Sequence, residues 1–271
     1  MTRIPSLLEI TSFFAIWLGL WLPFAIPSAI KLNWRPFQPS TAAQKLPLLA
    51  SLYLLAPLVL WGFCWVEGTS FTTYGMSLAK SQLAAVGWGF AIGSASLALL
   101  FAVQYGLGWL DQSPTPEAEP QADLGVYWQV LLMLGLALWI GWTEELIFRG
   151  FLQNQLQRDL PVWLATAVAS GIFALLHGVW EGKSVLPQLP GLWLMGMVLV
   201  LARWVDSGNL GLAWGLHAGW VWVIASLDAL SIHSNSKAPA WLTGLAGKPL
   251  AGILGLLFLL TTGLGLISWL L

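Results

Sequence analysis

Long apolar runs alternate with short polar breaks along this chain. A membrane-crossing helix needs about 20 mostly apolar residues. Eight stretches approach that pattern: 7–30, 46–66, 83–110, 126–156, 161–176, 192–205, 210–227 and 250–271. They predict an all-α fold, a polytopic membrane bundle of about eight transmembrane helices. The sixth stretch is short and is expected to be tilted or only partly spanning. The first follows Arg3, but its apolar run exceeds the roughly 7–15 residues of a signal-peptide core, so it reads as a retained helix. No internal repeat is visible.

One segment breaks the pattern. Residues 111–123, DQSPTPEAEPQAD, are rich in proline and acid and hold no Lys or Arg, which predicts a solvated loop. The chain then divides into N-terminal transmembrane helices (1–110), a hydrophilic loop (111–124), a core (125–230), and a loop with a C-terminal transmembrane helix (231–271).

Composition supports the membrane assignment. The chain is 58% hydrophobic and 8% charged, against about 25% charged residues in soluble domains. Its mean hydropathy is +0.76. Membrane lipid is therefore an expected partner. A net charge of −1 argues against a nucleic-acid partner. The single cysteine, Cys64, excludes an internal disulfide and reads as a small apolar residue of the second helix. Many of the 19 tryptophans are expected at the headgroup level. The cations of alternate loops are nearly balanced, so charge does not orient the chain.

Against this background the stretch TEELIFRG at 143–150 stands out. A charge at bilayer depth costs roughly 2.5–3.5 kcal/mol on insertion scales, so such residues usually face a protein interior and carry function. Glu145 and Arg149 are spaced i, i+4 with the acid first, the favourable order for an ion pair. Glu144 points about 100° away from its neighbour and is expected to face a cavity. Buried carboxylates bind protons more tightly than exposed ones, which suits a general base.

The next candidate is His177, in FALLH at 173–177. A short turn at 157–160 makes the helices on either side antiparallel neighbours, with Asp159 expected to cap the second and Pro161 to open it. Glu144 lies 15 residues before residue 159 and His177 lies 18 after it. At 1.5 Å per residue the two fall within about 5 Å of one depth, close enough to share a water. His217 follows in GLHAGWVW at 215–222, with Gly215 and Gly219 on either side; small residues there let another helix approach closely. Two histidines and a glutamate could also ligate a catalytic zinc with one open position, although no HExxH spacing is present.

Other polar residues read as structural. Glu9 is expected at headgroup level, Asp228 at a helix end, His233 in a Ser/Asn-rich loop, and Glu181 and Lys183 in solvent. No GxSxG, GxGD or glycine-rich phosphate loop is present.

The ordered set EExxxR, FxxxH and a later histidine on successive helices resembles the CPBP family of intramembrane proteases. That family includes the CAAX prenyl endopeptidases of the Rce type and the bacterial Abi proteins. The tryptophan-rich stretch at 215–222 and GKPLAG at 247–252 resemble its cyanobacterial and plastid branch. The resemblance implies a plasma-membrane or thylakoid location, a peptide or protein substrate, and a site of Glu144, Glu145, Arg149, His177 and His217. Glu144 would activate water with His177 orienting it, His217 would stabilise the oxyanion, and Glu145 with Arg149 would hold the constellation or grip a substrate carboxylate. The family is often labelled as metalloproteases. Zn²⁺ or another divalent metal, if bound, would fall to Glu144, His177 and His217, and a metal-free glutamate mechanism fits the same residues. One position departs from the pattern: many members have Asn or Asp four residues after the third-motif histidine, where this chain has Val221. Two rivals follow, a non-catalytic immunity or scaffold protein using the same cavity and a proton-coupled transporter.

Overall fold

The apolar runs fold as helices. The computed structural model describes residues 5–112 and 123–269, and the loop reading of residues 113–122 lies outside them. The longer helices are α1 (Ser6–Lys31), α2 (Ala42–Glu67), α3 (Lys80–Gly106), α4 (Asp123–Glu144), α6 (Val162–Leu176), α8 (Leu189–Val205), α9 (Gly211–Ala229) and α11 (Ile253–Ile267). Short helices α5 (Gln153–Leu156), α7 (Gly178–Glu181) and α10 (Ala240–Thr243) lie between them. Pro23 and Pro27 sit inside α1, and Pro47 and Pro57 inside α2; membrane helices accommodate such residues.

Among the described residues five stretches are long and apolar enough to cross a membrane: Ser6–Lys31, Ala42–Glu67, Lys80–Gly106, Trp128–Leu156 and Val162–Val205. The expected eight is thus not reproduced. Val162–Val205 is one apolar stretch holding both α6 and α8, α11 is only 15 residues long, and α9 is diluted by three glycines, three tryptophans and His217.

The chain forms two compact units, each of two separate stretches. The first comprises Met1–Ser77 and Thr143–Met197. Here α1 is fastened to α2 by indole N–H donors, Trp17 to the Leu52 carbonyl at 2.8 Å and Trp21 to the Ser51 hydroxyl at 3.0 Å. Phe13, Phe63, Tyr74 and Phe151 stack in its core, with Phe13 and Phe151 centred 4.5 Å apart. Thr41 and Gln44 close a capping box at the start of α2. The segment after α1 crosses the segment after α6, with the Phe37 N–H donating to the Val179 carbonyl at 2.9 Å. Gly182 has φ +57°, and a Cβ there would lie 2.4 Å from the Phe37 carbonyl oxygen, so no larger residue fits this crossing.

The second unit comprises Leu78–Trp142 and Val198–Leu271. Its centre is the contact of α3 with α9. A Cβ at Gly215 would stand 2.2 Å from the Val86 carbonyl oxygen, and one at Gly89 2.5 Å from that of Leu212. The two backbones touch, as expected of a helix pair built on small residues. α4 lies on another side of α9, with the Trp214 and Trp222 indoles donating to the carbonyls of Leu138 (2.7 Å) and Val130 (3.0 Å).

Several polar residues depart from expectation. Asp159 does not cap α6: Pro161 holds that position without a side-chain bond, and Asp159 accepts from the Ser6 hydroxyl. Glu9 is buried at 7% exposure and paired with Arg158, not at headgroup level. Glu181 is half-buried and accepts from Gln188, while Lys183 is exposed as expected. His233 is in a strand: β1 (Leu110–Gln112) pairs antiparallel with β2 (Ile232–Ser234), Asp111 opposite His233. Two three-residue strands leave too short a pattern to read in sequence.

Candidate active site

The α-helical ladder of α4 changes at the charged motif. Residues Glu145–Leu152 form a π-helix, directly after Glu144 and directly before α5. Such i→i+5 segments are rare and often mark functional sites. The whole segment is buried.

Inside it the Arg149 guanidinium donates to Glu145 Oε1 at 2.9 Å, with the acid fully buried and the arginine 2% exposed along its side chain. The ion pair predicted from the i, i+4 spacing is therefore present. A buried pair of this kind is costly to desolvate and costlier to break, because the remaining charge stays buried. Arg149 also lies over the Phe173 ring, 4.2 Å from its centre, a cation–π contact across to α6. Phe148 meets the same ring edge-on at 5.2 Å.

Phe173 in turn holds His177. The two rings meet edge to face at 4.8 Å, and His177 Nδ1 lies 2.9 Å from the Phe173 carbonyl oxygen. A carbonyl only accepts, so Nδ1 carries the hydrogen, and Nε2 of the neutral ring is the acceptor. His177 ends α6 and is half-buried.

The register of α6 against the charged segment is set by Gln153, whose Nε2 donates to the Thr166 hydroxyl at 3.0 Å, both side chains buried. Counting away from that bond, Glu144 is nine residues one way and His177 eleven the other. The two lie on either side of that bond in sequence, on adjacent helices, near enough for the Glu144 charge to act on the His177 ring.

Glu144 is 8% exposed. Its Oε1 accepts a hydrogen bond from the Tyr53 hydroxyl of α2. Nothing in the motif spacing pointed to Tyr53. The usable signal was its place, twelfth in a 26-residue apolar helix, where a phenolic O–H is far from headgroups and needs a protein partner.

His217 lies on α9, in the second unit, and is 2% exposed. It sits two residues from both Gly215 and Gly219, so it turns about 200° away from the side that meets α3. Val221, one helical turn on, is half-buried.

Residues 126–223 match the family model described as type II CAAX prenyl endopeptidase, Rce1-like. The matched segment contains Glu144, Glu145, Arg149, Phe173, His177 and His217 and excludes Tyr53. No curated protein and no solved structure matches the chain. The Rce1-like match agrees with the resemblance read from the motifs. The match spans residues 126–223 of the 271, and the five long apolar stretches make the chain an integral membrane protein. Among the described residues no three His, Cys, Asp or Glu side chains gather closely enough to hold a metal ion. The described residues thus form no ready metal site.

Proposed function

We propose that this protein is an intramembrane endopeptidase in which Glu144 activates water to hydrolyse a peptide bond in or near the bilayer. The observation that carries the reading is the Rce1-like match over 126–223, which takes in Glu144 and His177, two residues close enough to interact electrostatically. In this reading Glu144 removes a proton from a water that His177 Nε2 orients. The resulting hydroxide adds to the scissile carbonyl carbon, and His217 donates to the oxyanion. Glu144 then passes its proton to the amide nitrogen as the C–N bond breaks. The Glu145–Arg149 pair holds the acid-bearing helix against α6. The substrate is a peptide or membrane protein.

Val221 favours a second reading, a non-catalytic membrane protein that binds a partner through the same residues. One experiment separates the two. The protein purified in detergent is incubated with a library of membrane-protein peptides beside Glu144→Gln and His177→Ala, and bound zinc is quantified on each sample. Cleavage by the parent that both variants lose supports the peptidase. No cleavage, with all three proteins equally stable, supports the binding protein. Zinc that is present in the parent and lost from both variants would make Glu144 and His177 ligands and overturn the base assignment.

A further inference from the structure

We infer that Tyr53 is a positioning residue of the reaction, holding the Glu144 carboxylate in the rotation it needs to act as base. This rests on the reading of Glu144 given above. It adds a residue that lies outside the matched segment 126–223 and comes from a different part of the chain, α2.

Three observations converge. The Tyr53 hydroxyl donates to Glu144 Oε1. The tyrosine is 8% exposed, and Leu48 and Ala56 of the same helix are fully buried, so its ring has little room to leave. The height of α2 at this level is fixed from outside, since the indoles of Trp17 and Trp21 donate to Leu52 and Ser51, the two residues before Tyr53. A carboxylate turns easily about its last single bond. One directed O–H donor on a pinned helix removes that freedom before a water arrives. A base within hydrogen-bond reach but wrongly rotated transfers protons poorly. Tyr53 touches neither water nor peptide in this role.

The test compares full-length parent and Tyr53→Phe in detergent on the peptide that the parent cleaves best. The ring is kept and only the hydroxyl is lost. The expected result is a kcat lower by roughly 10–100-fold, the loss of one hydrogen bond to a charged group. KM and the thermal midpoint stay near the parent's, which a purely structural role would not produce. Independently of cleavage, the infrared carboxylate band of Glu144, located by subtracting Glu144→Gln, shifts in Tyr53→Phe. An unchanged band overturns the contact itself, whatever the variant's stability. Parent cleavage with an unchanged or higher kcat in Tyr53→Phe overturns the positioning role and leaves the Glu144 reading standing. A parent that cleaves nothing overturns that reading and this role with it.

Discussion

Arg149 rests its guanidinium carbon 4.2 Å from the centre of the Phe173 ring. The contact joins the charged π-helical segment to the helix that ends at His177, and the same ring meets the His177 imidazole on another side. Phe173→Leu keeps an apolar side chain and removes both aromatic contacts. The expected loss is about 1–3 kcal/mol, the sum of a desolvated cation–π contact and imperfect repacking. Thermal unfolding in detergent measures it. A variant as stable as the parent would mean that the ring serves only as filling.

The Glu145–Arg149 pair predicts a non-additive double mutant. Glu145→Ala or Arg149→Ala alone leaves a buried charge and is expected to cost about 3–5 kcal/mol. The apolar double variant Glu145→Leu/Arg149→Met removes both charges and is expected to cost less than the two single changes together. Additive losses would mean that the two side chains are stabilised by separate surroundings and not by each other.

The α3–α9 contact tolerates no added carbon. Gly215→Ala places a methyl 2.2 Å from the Val86 carbonyl oxygen, a backbone atom that cannot swing aside. It is expected to destabilise by at least about 1–3 kcal/mol. Gly87→Ala, on α3 but with nothing within 4 Å of the new carbon, is expected to be neutral or stabilising by up to about 1 kcal/mol. Equal melting midpoints for the two variants would contradict the packing described.

These residues also show what sequence could supply. Helix positions were legible because burial in lipid leaves long apolar runs, and the Glu145–Arg149 pair because intrahelical spacing fixes its geometry. Contacts between distant segments left no such trace. Tyr53 meets Glu144 from 91 positions away, and Glu9 meets Arg158 from 149 away. The π-helix at Glu145–Leu152 has no propensity signature. The Asp159 cap failed through a distant contact, because Ser6 of α1 takes the carboxylate. The number of crossings was less legible, because an apolar run sets helix formation, not crossing, and Val162–Val205 holds two helices in one apolar stretch.

Asp206, between α8 and α9, gives a pH prediction. Its Oδ2 accepts the Leu212 N–H at 3.1 Å near the start of α9. Burial raises its carboxyl above the ordinary value and outweighs the hydrogen bonds from Leu212 and Gly211, which act the other way. A raised acid in the folded state contributes stability below its unfolded value near 3.9 and loses it as pH rises through the folded value. Measured against Asp206→Asn, which keeps an acceptor and never ionises, the parent should therefore gain stability as pH falls from neutral into the carboxylate range. A parent that instead loses ground on acidification would show that the hydrogen bonds win over burial.

Val221 is the position at which the proposed peptidase is weakest. It follows His217 by one helical turn on α9 and offers no donor, where many members of the resembled family carry Asn or Asp. If His217 works alone on the oxyanion, restoring a side-chain donor should strengthen the step it serves. Val221→Asn is expected to raise kcat by up to roughly 10²–10³, the cost of removing one such donor elsewhere, with little change in KM because the ground-state carbonyl gains less than the oxyanion. Steady-state cleavage of the parent's best peptide measures it, beside Val221→Leu as an apolar control. A rise in the asparagine variant only would assign His217 and position 221 to one oxyanion site. No rise in either, in a protein that cleaves through Glu144, would place the oxyanion donor elsewhere in the chain.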